Sequence, residues 1–400
     1  MTERNDTVDV SIVMPCLNES RSLEVCITAA KDALREMSQR LGLTGEVVIA
    51  DNGSTDGSQA LAEQLGARVV NVDEKGYGAA LRGGFLAAHG RYLVMGDADG
   101  SYEFRESVAM VEALTQGADL CIGSRFKGGI KPGAMPWKNR YIGNPVLTGI
   151  LNLLFQSGVG DAHCGLRALT KDCFEQMGLT GAGMEFASEM VIKASLLRLR
   201  IAERPATLSP DLRDRAPHLR PWRDGWRHLR YLFMLSPTWL FAAPAILTGV
   251  TGATILGWAS GMAIFRPGVV SAIGNYWVIL AASMVSLSHI AAILAFASHF
   301  NGVRVGYRRN RPWVVGLTRW ITLETMLLAG LALMVLGGAI LAYVVLAWST
   351  RHFGPTPLVL PAVVGTLCVT LGAQNVLGGF LLAIVSGNEA RFAKQPAPTP

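Results

Sequence analysis

Beyond Pro237 the chain carries four long apolar stretches, 238–265, 276–297, 321–348 and 358–385, and no other feature limits its fold as strongly. Each exceeds the roughly 20 residues that an α-helix needs to cross a hydrocarbon core. The first, second and fourth hold no Asp, Glu, Lys or Arg, and the third only Glu324 near its start. A charge at mid-bilayer costs at least about 3 kcal/mol. The sequence therefore predicts four transmembrane helices. Of its 30 acidic residues only Glu324 and Glu389 lie beyond Ser236, so the net charge of +6 comes from basic loops of the apolar half. That balance argues for anionic lipid headgroups or phosphates as partners, and against nucleic acid. The connection between the second and third stretches carries Arg304, Arg308, Arg309, Arg311 and Arg319, against only Arg266 and Arg351 in the other two connections. The positive-inside rule then predicts a multi-pass protein of the cell (inner) membrane with both termini cytoplasmic.

The first half reads differently. Short apolar runs at 8–14, 46–50, 67–72, 92–95 and 120–122 alternate with longer helical patterns, which predicts an α/β domain: a mainly parallel, Rossmann-like sheet covered by helices. Its start, MTERNDTVDV, lacks the basic and apolar regions of a secretory signal, which places this half in the cytoplasm. The six cysteines form no C-x-x-C pair and read as reduced, buried thiols. Between the halves, Leu219, Trp222, Trp226, Leu229 and Phe233 recur at helical spacing beside a stripe of Arg220, Arg223, Arg227 and Arg230, with Pro221 near the start. This is a basic amphipathic helix suited to a membrane surface. A shorter apolar patch at 142–155 is too short to span and reads as core or interfacial. The expected domains are 1–215 for the α/β half, 216–236 for the amphipathic helix, 237–388 for the membrane helices and 389–400 for a cytoplasmic tail.

Chemistry concentrates where the strands end. The run YLVMG is followed by the acidic pair Asp97 and Asp99, then Ser101. Two carboxylates at the end of a buried strand suit a hard divalent cation that can bridge phosphates, and Ser101 adds a weak oxygen. Seen alone, such a pair is usually a solvated turn. The loop DNGSTDGS at 51–58 and the segment PCLNE at 15–19 follow two other strands, and either alone reads as a turn before a helix. Three such loops converging on one sheet edge mark a ligand site, because open α/β sheets bind ligands at the carboxyl ends of their strands. The histidines show no zinc spacing; His163 and His218 read as satisfied structural histidines ahead of site residues, and His289 as a hydrogen bond between membrane helices.

Taken together, PCLNE, DNGSTDGS and DAD resemble the family 2 glycosyltransferases with the GT-A fold. GSRF at 123–126, NRYIGNP at 139–145 and DAHCGLR at 161–167 resemble the branch of dolichyl-phosphate mannose and glucose synthases. The resemblance covers roughly 8–215. It implies a nucleotide-diphosphate sugar donor (a GDP- or UDP-hexose), Mg²⁺ or Mn²⁺, and a polyprenyl phosphate acceptor. It carries donor binding to Pro15, Asn18, Glu19, Asp51, Asn52, Asp56, Asp97 and Asp99, and metal binding to Asp97, Asp99 and Ser101. Acceptor phosphate falls to Arg125, Arg140 and Arg167, the donor diphosphate to Arg213 or Arg215, and the catalytic set is Asp99, Asp161, Arg125 and Arg140. Asp161 positions acceptor or sugar, or serves as a cap. Glu185 and Glu189 match family helix positions, either packing or binding sugar hydroxyls. The expected activity is metal-dependent, inverting transfer of mannose or glucose to a polyprenyl phosphate. A processive synthase would carry Q-x-x-R-W, absent here, and a sugar nucleotidyltransferase a glycine-rich first loop with arginine. A scaffold or glycolipid-translocation subunit stands as the reading outside enzymology, and a homo-oligomer is compatible with the sequence.

Overall fold

The computed structural model describes residues 8–213, 221–236, 238–265, 274–306, 314, 316–317, 320–354 and 359–387. The chain forms two compact units, Met1–Leu235 and Ser236–Pro400.

In the first unit the elements run β1 (Val10–Cys16), α1 (Ser20–Leu41), β2 (Gly45–Asp51), α2 (Ser58–Gln64), β3 (Arg68–Asn71), α3 (Tyr77–Ala87), β4 (Tyr92–Met95), α4 (Ser107–Thr115), β5 (Leu120–Ser124), the short α5 (Arg125–Gly128), α6 (Asn144–Phe155), β6 (Arg167–Thr170), α7 (Lys171–Met177), α8 (Phe186–Leu197), β7 (Ile201–Pro205) and α9 (Pro221–Leu235). The strands make one sheet of order β3-β2-β1-β4-β6-β5-β7. The mainly parallel sheet is as expected, and β1 is buried along nearly its whole length because helices cover both faces. Helix α1 turns Leu23, Cys26, Ile27, Ala30, Ala33 and Met37 to that core, a 3.6-residue period, and stops at Gly42, whose φ of 69° is the left-handed conformation glycine takes without strain.

Two strands were not foreseen. β6 is antiparallel to β4 and β5, setting Arg167 opposite both Met95 and Ile122, and β7 lies parallel to β5 at the sheet's end. With four residues that begin on an arginine, β6 is too short and too polar at its start to show a strand period. The patch at 142–155 forms α6, which buries Thr148, Leu151 and Phe155 and leaves Val146 and Leu153 more than half exposed. Helix α9 buries His228, Leu232 and Leu235 and exposes Trp226, Phe233 and Met234.

The second unit holds α10 (Ala243–Phe265), α11 (Asn275–Arg304), α12 (Leu323–Ser349) and α13 (Val359–Ser386). Among the described residues four helices, beginning at Trp239 for the first, are long and apolar enough to cross a membrane. Ile246, Leu247, Leu328, Leu346, Leu377 and Ile384 are each more than three-fifths exposed, an outward surface that lipid accommodates and water does not. The basic residues Arg266, Arg308, Arg309, Arg311 and Arg319 and the tail 389–400 lie outside the described residues.

With no apolar driving force between helices in lipid, close packing and hydrogen bonds must hold the bundle. Glycines seven residues apart on α12 (Gly330, Gly337) meet glycines seven apart on α13 (Gly372, Gly365). A Cβ at Gly330 would lie 2.8 Å from the Gly372 carbonyl oxygen, and one at Gly337 2.6 Å from that of Gly365. Gln374 of α13 links two residues of α11, donating to Ser286 Oγ at 2.9 Å and meeting His289 Nδ1 through Oε1 at 3.0 Å. Ser288 Oγ donates to the Ala245 carbonyl, tying α11 to α10. A cavity of about 790 Å³ between α11, α12 and α13 is walled by Ile279, Leu287, Val344 and Val363 and by the polar Ser286 and Gln374.

The glycine contacts predict a sharp positional difference. Gly337→Ala should cost about 1–3 kcal/mol through overpacking. Gly338→Ala, where a Cβ meets nothing within 4 Å, should be neutral or stabilising. Thermal unfolding of the detergent-solubilised protein compares the two.

Candidate active site

The parallel strands β1, β2, β3, β4 and β5 deliver their following loops to one sheet edge. Because β6 runs the other way, the loop that enters it, 160–166, reaches that edge as well, and the segment after β7 leaves from it. Backbone bonds fix this last segment over the site: Ala206 N donates to Ser124 O, Ser209 N to Ser101 O and Leu212 N to Asp99 O.

The loops after β1 and β2 are stitched together. Asn18, at φ 58°, accepts the Thr55 amide on Oδ1 at 2.7 Å, while its own amide donates to Ser54 Oγ. Asp51 accepts from the Gly53 and Ser54 amides and from Gln59 Nε2. Burial alone would raise its pKa, but these bonds hold it below the usual carboxylate range. Asp56 accepts from the Ser20 and Ser58 amides and from Ser58 Oγ. Asn52 donates through Nδ2 to the carbonyls of Val72 and Glu74 and accepts the Gly76 amide, pinning the loop after β3. Pro15 lies within β1 opposite Ala50. The side chains of Asn52 and Asp56, both expected at the donor, hold neighbouring backbone at this edge. Beside these loops a cavity of about 280 Å³ is lined by Asn18, Glu19, Ser22, Asp56, Leu212 and Arg213.

Asp97 and Asp99 follow β4 at the centre of this edge. Asp99 Oδ1 accepts the Ser101 amide at 2.9 Å, and Asp97 Oδ1 accepts the hydroxyl of Tyr77 at 2.9 Å. Burial first, and the Asp99 charge second, push the Asp97 carboxyl up from 3.8 to about 7. Arg213 completes the group. Its Nε and Nη2 bond the buried Glu19 carboxylate at 2.9–3.0 Å, and Nη1 stands 3.1 Å from Asp99 Oδ2. Arg215, the alternative to Arg213, lies outside the described residues, as does His218.

Hard oxygens in a mutually repelling pair fit Mg²⁺ or Mn²⁺. Among the described residues no cluster of three or more His, Cys, Asp or Glu side chains is arranged to hold a metal. An ion at Asp97 and Asp99 would take its remaining ligands from water or substrate phosphates, a usual arrangement for Mg²⁺.

The arginines diverge. Arg125, 7% exposed, grips the fully buried Asp161 through Nε and Nη2, both at 2.7 Å, while its amide donates to the same carboxylate. Although burial opposes it, this bonding holds Asp161 below the usual range. Glu203 of β7 fixes the loop further by accepting the Gly160 and Asp161 amides. Arg167, expected at the acceptor phosphate, is engaged with backbone. It is fully buried and donates to the carbonyls of Cys164, Ala187 and Ala162, holding the entry to β6 in place. Arg140 sits half-exposed in the turn Asn139–Gly143, its guanidinium 5.4 Å from the Tyr141 ring centroid.

Glu185 and Glu189 separate as well. Glu189 is fully buried, accepts the Thr180 and Gly181 amides and pairs with Lys193 at 2.7 Å, a structural use. Glu185 Oε2, Ser124 Oγ and His163 Nδ1 are, by contrast, buried polar atoms with no hydrogen-bond partner among the described residues. His163 is thus not the satisfied structural histidine expected. Burial, then the charges of neighbouring groups, lower it to about 3, so it is neutral at pH 7. Tyr77, Ser54 and Glu203 were not singled out in the sequence. Tyr77 had one signal, its place after the glycine that ends the loop after β3.

Comparison with known proteins agrees with this architecture. Residues 11–178 match the family model described as Glycosyl transferase family 2, and 295–386 match the model described as Glycosyltransferase family 2 C-terminal transmembrane region. The low-salt glycan biosynthesis hexosyltransferase Agl6 of Haloferax volcanii is 37% identical over 379 residues, covering 93% of this chain and 88% of that protein. A dolichyl-phosphate hexose transferase of the same organism is 26% identical over 197 residues, covering 49% of this chain and 81% of its own. Among solved structures, glucosyl-3-phosphoglycerate synthase from Mycobacterium tuberculosis in complex with Mn²⁺ and UDP superposes with a TM-score of 0.41 at 22% identity, over 57% of this chain and 78% of that one.

Two outcomes follow from the buried charges. Asp161→Asn strands the Arg125 guanidinium and should cost about 3–5 kcal/mol, whereas the double change Arg125→Met with Asp161→Leu should recover much of it. Thermal unfolding of the purified variants measures both. For Asp97 the folded pKa is raised, so its contribution to stability is fully present below about pH 4 and is lost as pH rises through about 7. In metal-free buffer, the melting temperature of Asp97→Asn should therefore gain on the wild type between pH 5.5 and 8. A constant difference across that range would contradict the assignment.

Proposed function

This chain belongs to the family 2 glycosyltransferases, a membrane member with a GT-A catalytic domain, and from that premise we propose that it transfers a hexose, mannose or glucose, from a nucleotide-diphosphate sugar to a polyprenyl phosphate. The observation that carries the reading is the Asp97, Asp99 and Arg213 constellation at the sheet edge, on a chain that also bears four helices fit to cross a membrane. A prenyl tail leaves the bilayer only at about 0.8 kcal/mol per methylene, so the enzyme must come to the lipid. The likeness to a dolichyl-phosphate hexose transferase supports the same acceptor class. The basic connection between the second and third spans supports a cytoplasmic catalytic domain and anionic headgroups nearby.

In this reading the loops after β1 and β2 shape the nucleotide site, and Asp97 and Asp99 hold Mg²⁺ or Mn²⁺. A metal held by these two carboxylates would neutralise charge on the departing nucleoside diphosphate. Arg213 supplies a guanidinium for the same phosphates. The Arg125 pair with Asp161 holds the loop beside the acceptor in one geometry, and half-exposed Arg140 takes the acceptor phosphate. That phosphate is largely dianionic at neutral pH, since its second pKa is near 6, so no general base is needed to activate it. Its oxygen forms the new bond to the anomeric carbon as the carbon–oxygen bond to the diphosphate breaks, and the electron pair leaves with the nucleotide. The sequence offers no obvious covalent nucleophile, and a single displacement inverts the anomeric centre.

The test incubates purified protein with Mg²⁺ or Mn²⁺, a short polyprenyl phosphate and labelled UDP- or GDP-hexoses. Label should enter the lipid phase with one donor, inverted at the anomeric carbon, and Asp99→Ala should abolish it. Arg140→Ala should raise the acceptor KM about tenfold and leave nucleotide binding unchanged. No transfer with any donor, together with no nucleotide binding, would turn the reading toward a scaffold or glycolipid-translocation role, and a retained configuration would overturn the single displacement.

A further inference from the structure

Arg213 stands against the same Asp99 carboxylate that the proposed metal pair includes. Of the four carboxylate oxygens of Asp97 and Asp99, one accepts from Tyr77, one from the Ser101 amide and one faces Arg213 Nη1 at 3.1 Å. The other side of the same guanidinium is held by both oxygens of Glu19. Glu19 is itself fixed, only 4% exposed, with its amide donating to Ser58 Oγ. The backbone leading to Arg213 is pinned too, through Leu208 N to Gly129 O, Ser209 N to Ser101 O and Leu212 N to Asp99 O. With the backbone pinned, a change of partner by Arg213 would be a turn of its side chain, with Nε still within reach of Glu19.

A dication arriving alone at Asp99 meets a guanidinium it repels and brings no anion of its own to receive that guanidinium. A dication arriving with a nucleoside diphosphate brings its own oxygen ligands and also an anion that accepts the displaced guanidinium through paired N–H bonds. We propose that Arg213 is a resident counter-cation that blocks the metal site until a metal and a nucleoside diphosphate enter together, exchanging the Asp99 carboxylate for the diphosphate when they do. The proposal rests on the assignment of Asp97 and Asp99 as the metal pair. It makes Glu19 a positioning residue, whose role is to keep the guanidinium within reach of both partners. It also explains why a buried carboxylate at the start of α1, after the strand that neighbours β4, belongs to the site at all.

Metal binding itself tests this, without turnover. The full-length protein in detergent is titrated with Mn²⁺ alone and with Mn²⁺ plus UDP or GDP, with free Mn²⁺ read from its paramagnetic resonance signal. The wild type should bind Mn²⁺ at least about tenfold more tightly when the nucleotide it recognises is present. Arg213→Gln should bind Mn²⁺ alone about tenfold more tightly than the wild type and lose most of the nucleotide enhancement. Arg213→Lys, which keeps the charge but not the two-sided grip, should fall between the two, and it serves alone if Arg213→Gln does not fold. Asp99→Asn is the blank. Equal Mn²⁺ affinity in the wild type and the Arg213 variants without nucleotide, with binding still lost in Asp99→Asn, would overturn this proposal and leave the metal pair standing. Mn²⁺ binding indifferent to Asp99→Asn would overturn the metal pair and this proposal with it.

Discussion

The contact between Arg213 and the carboxylates of Glu19 and Asp99 joins the parts of the chain that matter most to the site. Negative charge gathered at the end of a buried strand is costly unless a cation stands beside it. The guanidinium meets that cost by linking the loop after β1, the loop after β4 and the segment after β7. Burial first, and the Asp99 charge second, raise the Asp97 carboxyl while the Arg213 charge opposes them.

Around this centre most polar side chains are occupied in holding loops. Asn18, Asp51, Asn52 and Asp56 are bonded to backbone amides and carbonyls of neighbouring turns. Arg167 and Glu189 are buried and fully engaged in the same way. The rigidity has a chemical use, because a ligand meets loops already ordered and the entropy of ordering them is not charged against binding. Ser124 Oγ, His163 Nδ1 and Glu185 Oε2, buried and without a hydrogen-bond partner among the described residues, stand out against that background.

The membrane unit solves a different problem with different residues. Its helices are apolar on nearly every face, so burial of apolar surface cannot decide which helix meets which. Absence of side chain does so at Gly330, Gly337, Gly365 and Gly372, where backbones come close enough to exclude a methyl group. Hydrogen bonds from Gln374 to Ser286 and His289 add direction to a contact that packing alone leaves free to slide.

Several features were legible in the chain itself. Long uncharged runs have one stable use, so the membrane helices could be read directly. Alternating short apolar runs marked the parallel part of the sheet, and the order of PCLNE, DNGSTDGS and DAD pointed to the family, because these depend on neighbours within a few residues. What the sequence could not carry was every pairing made across distance. Arg213 meets Glu19 from 194 residues away, and β6 enters the sheet backwards between β4 and β5. Arg125, Arg140 and Arg167 look equivalent as letters; one is paired with a buried carboxylate, one is half-exposed and one is sealed among carbonyls. A guanidinium's chemistry is the same everywhere, and only the fold decides which charges and dipoles stand within hydrogen-bond reach of it.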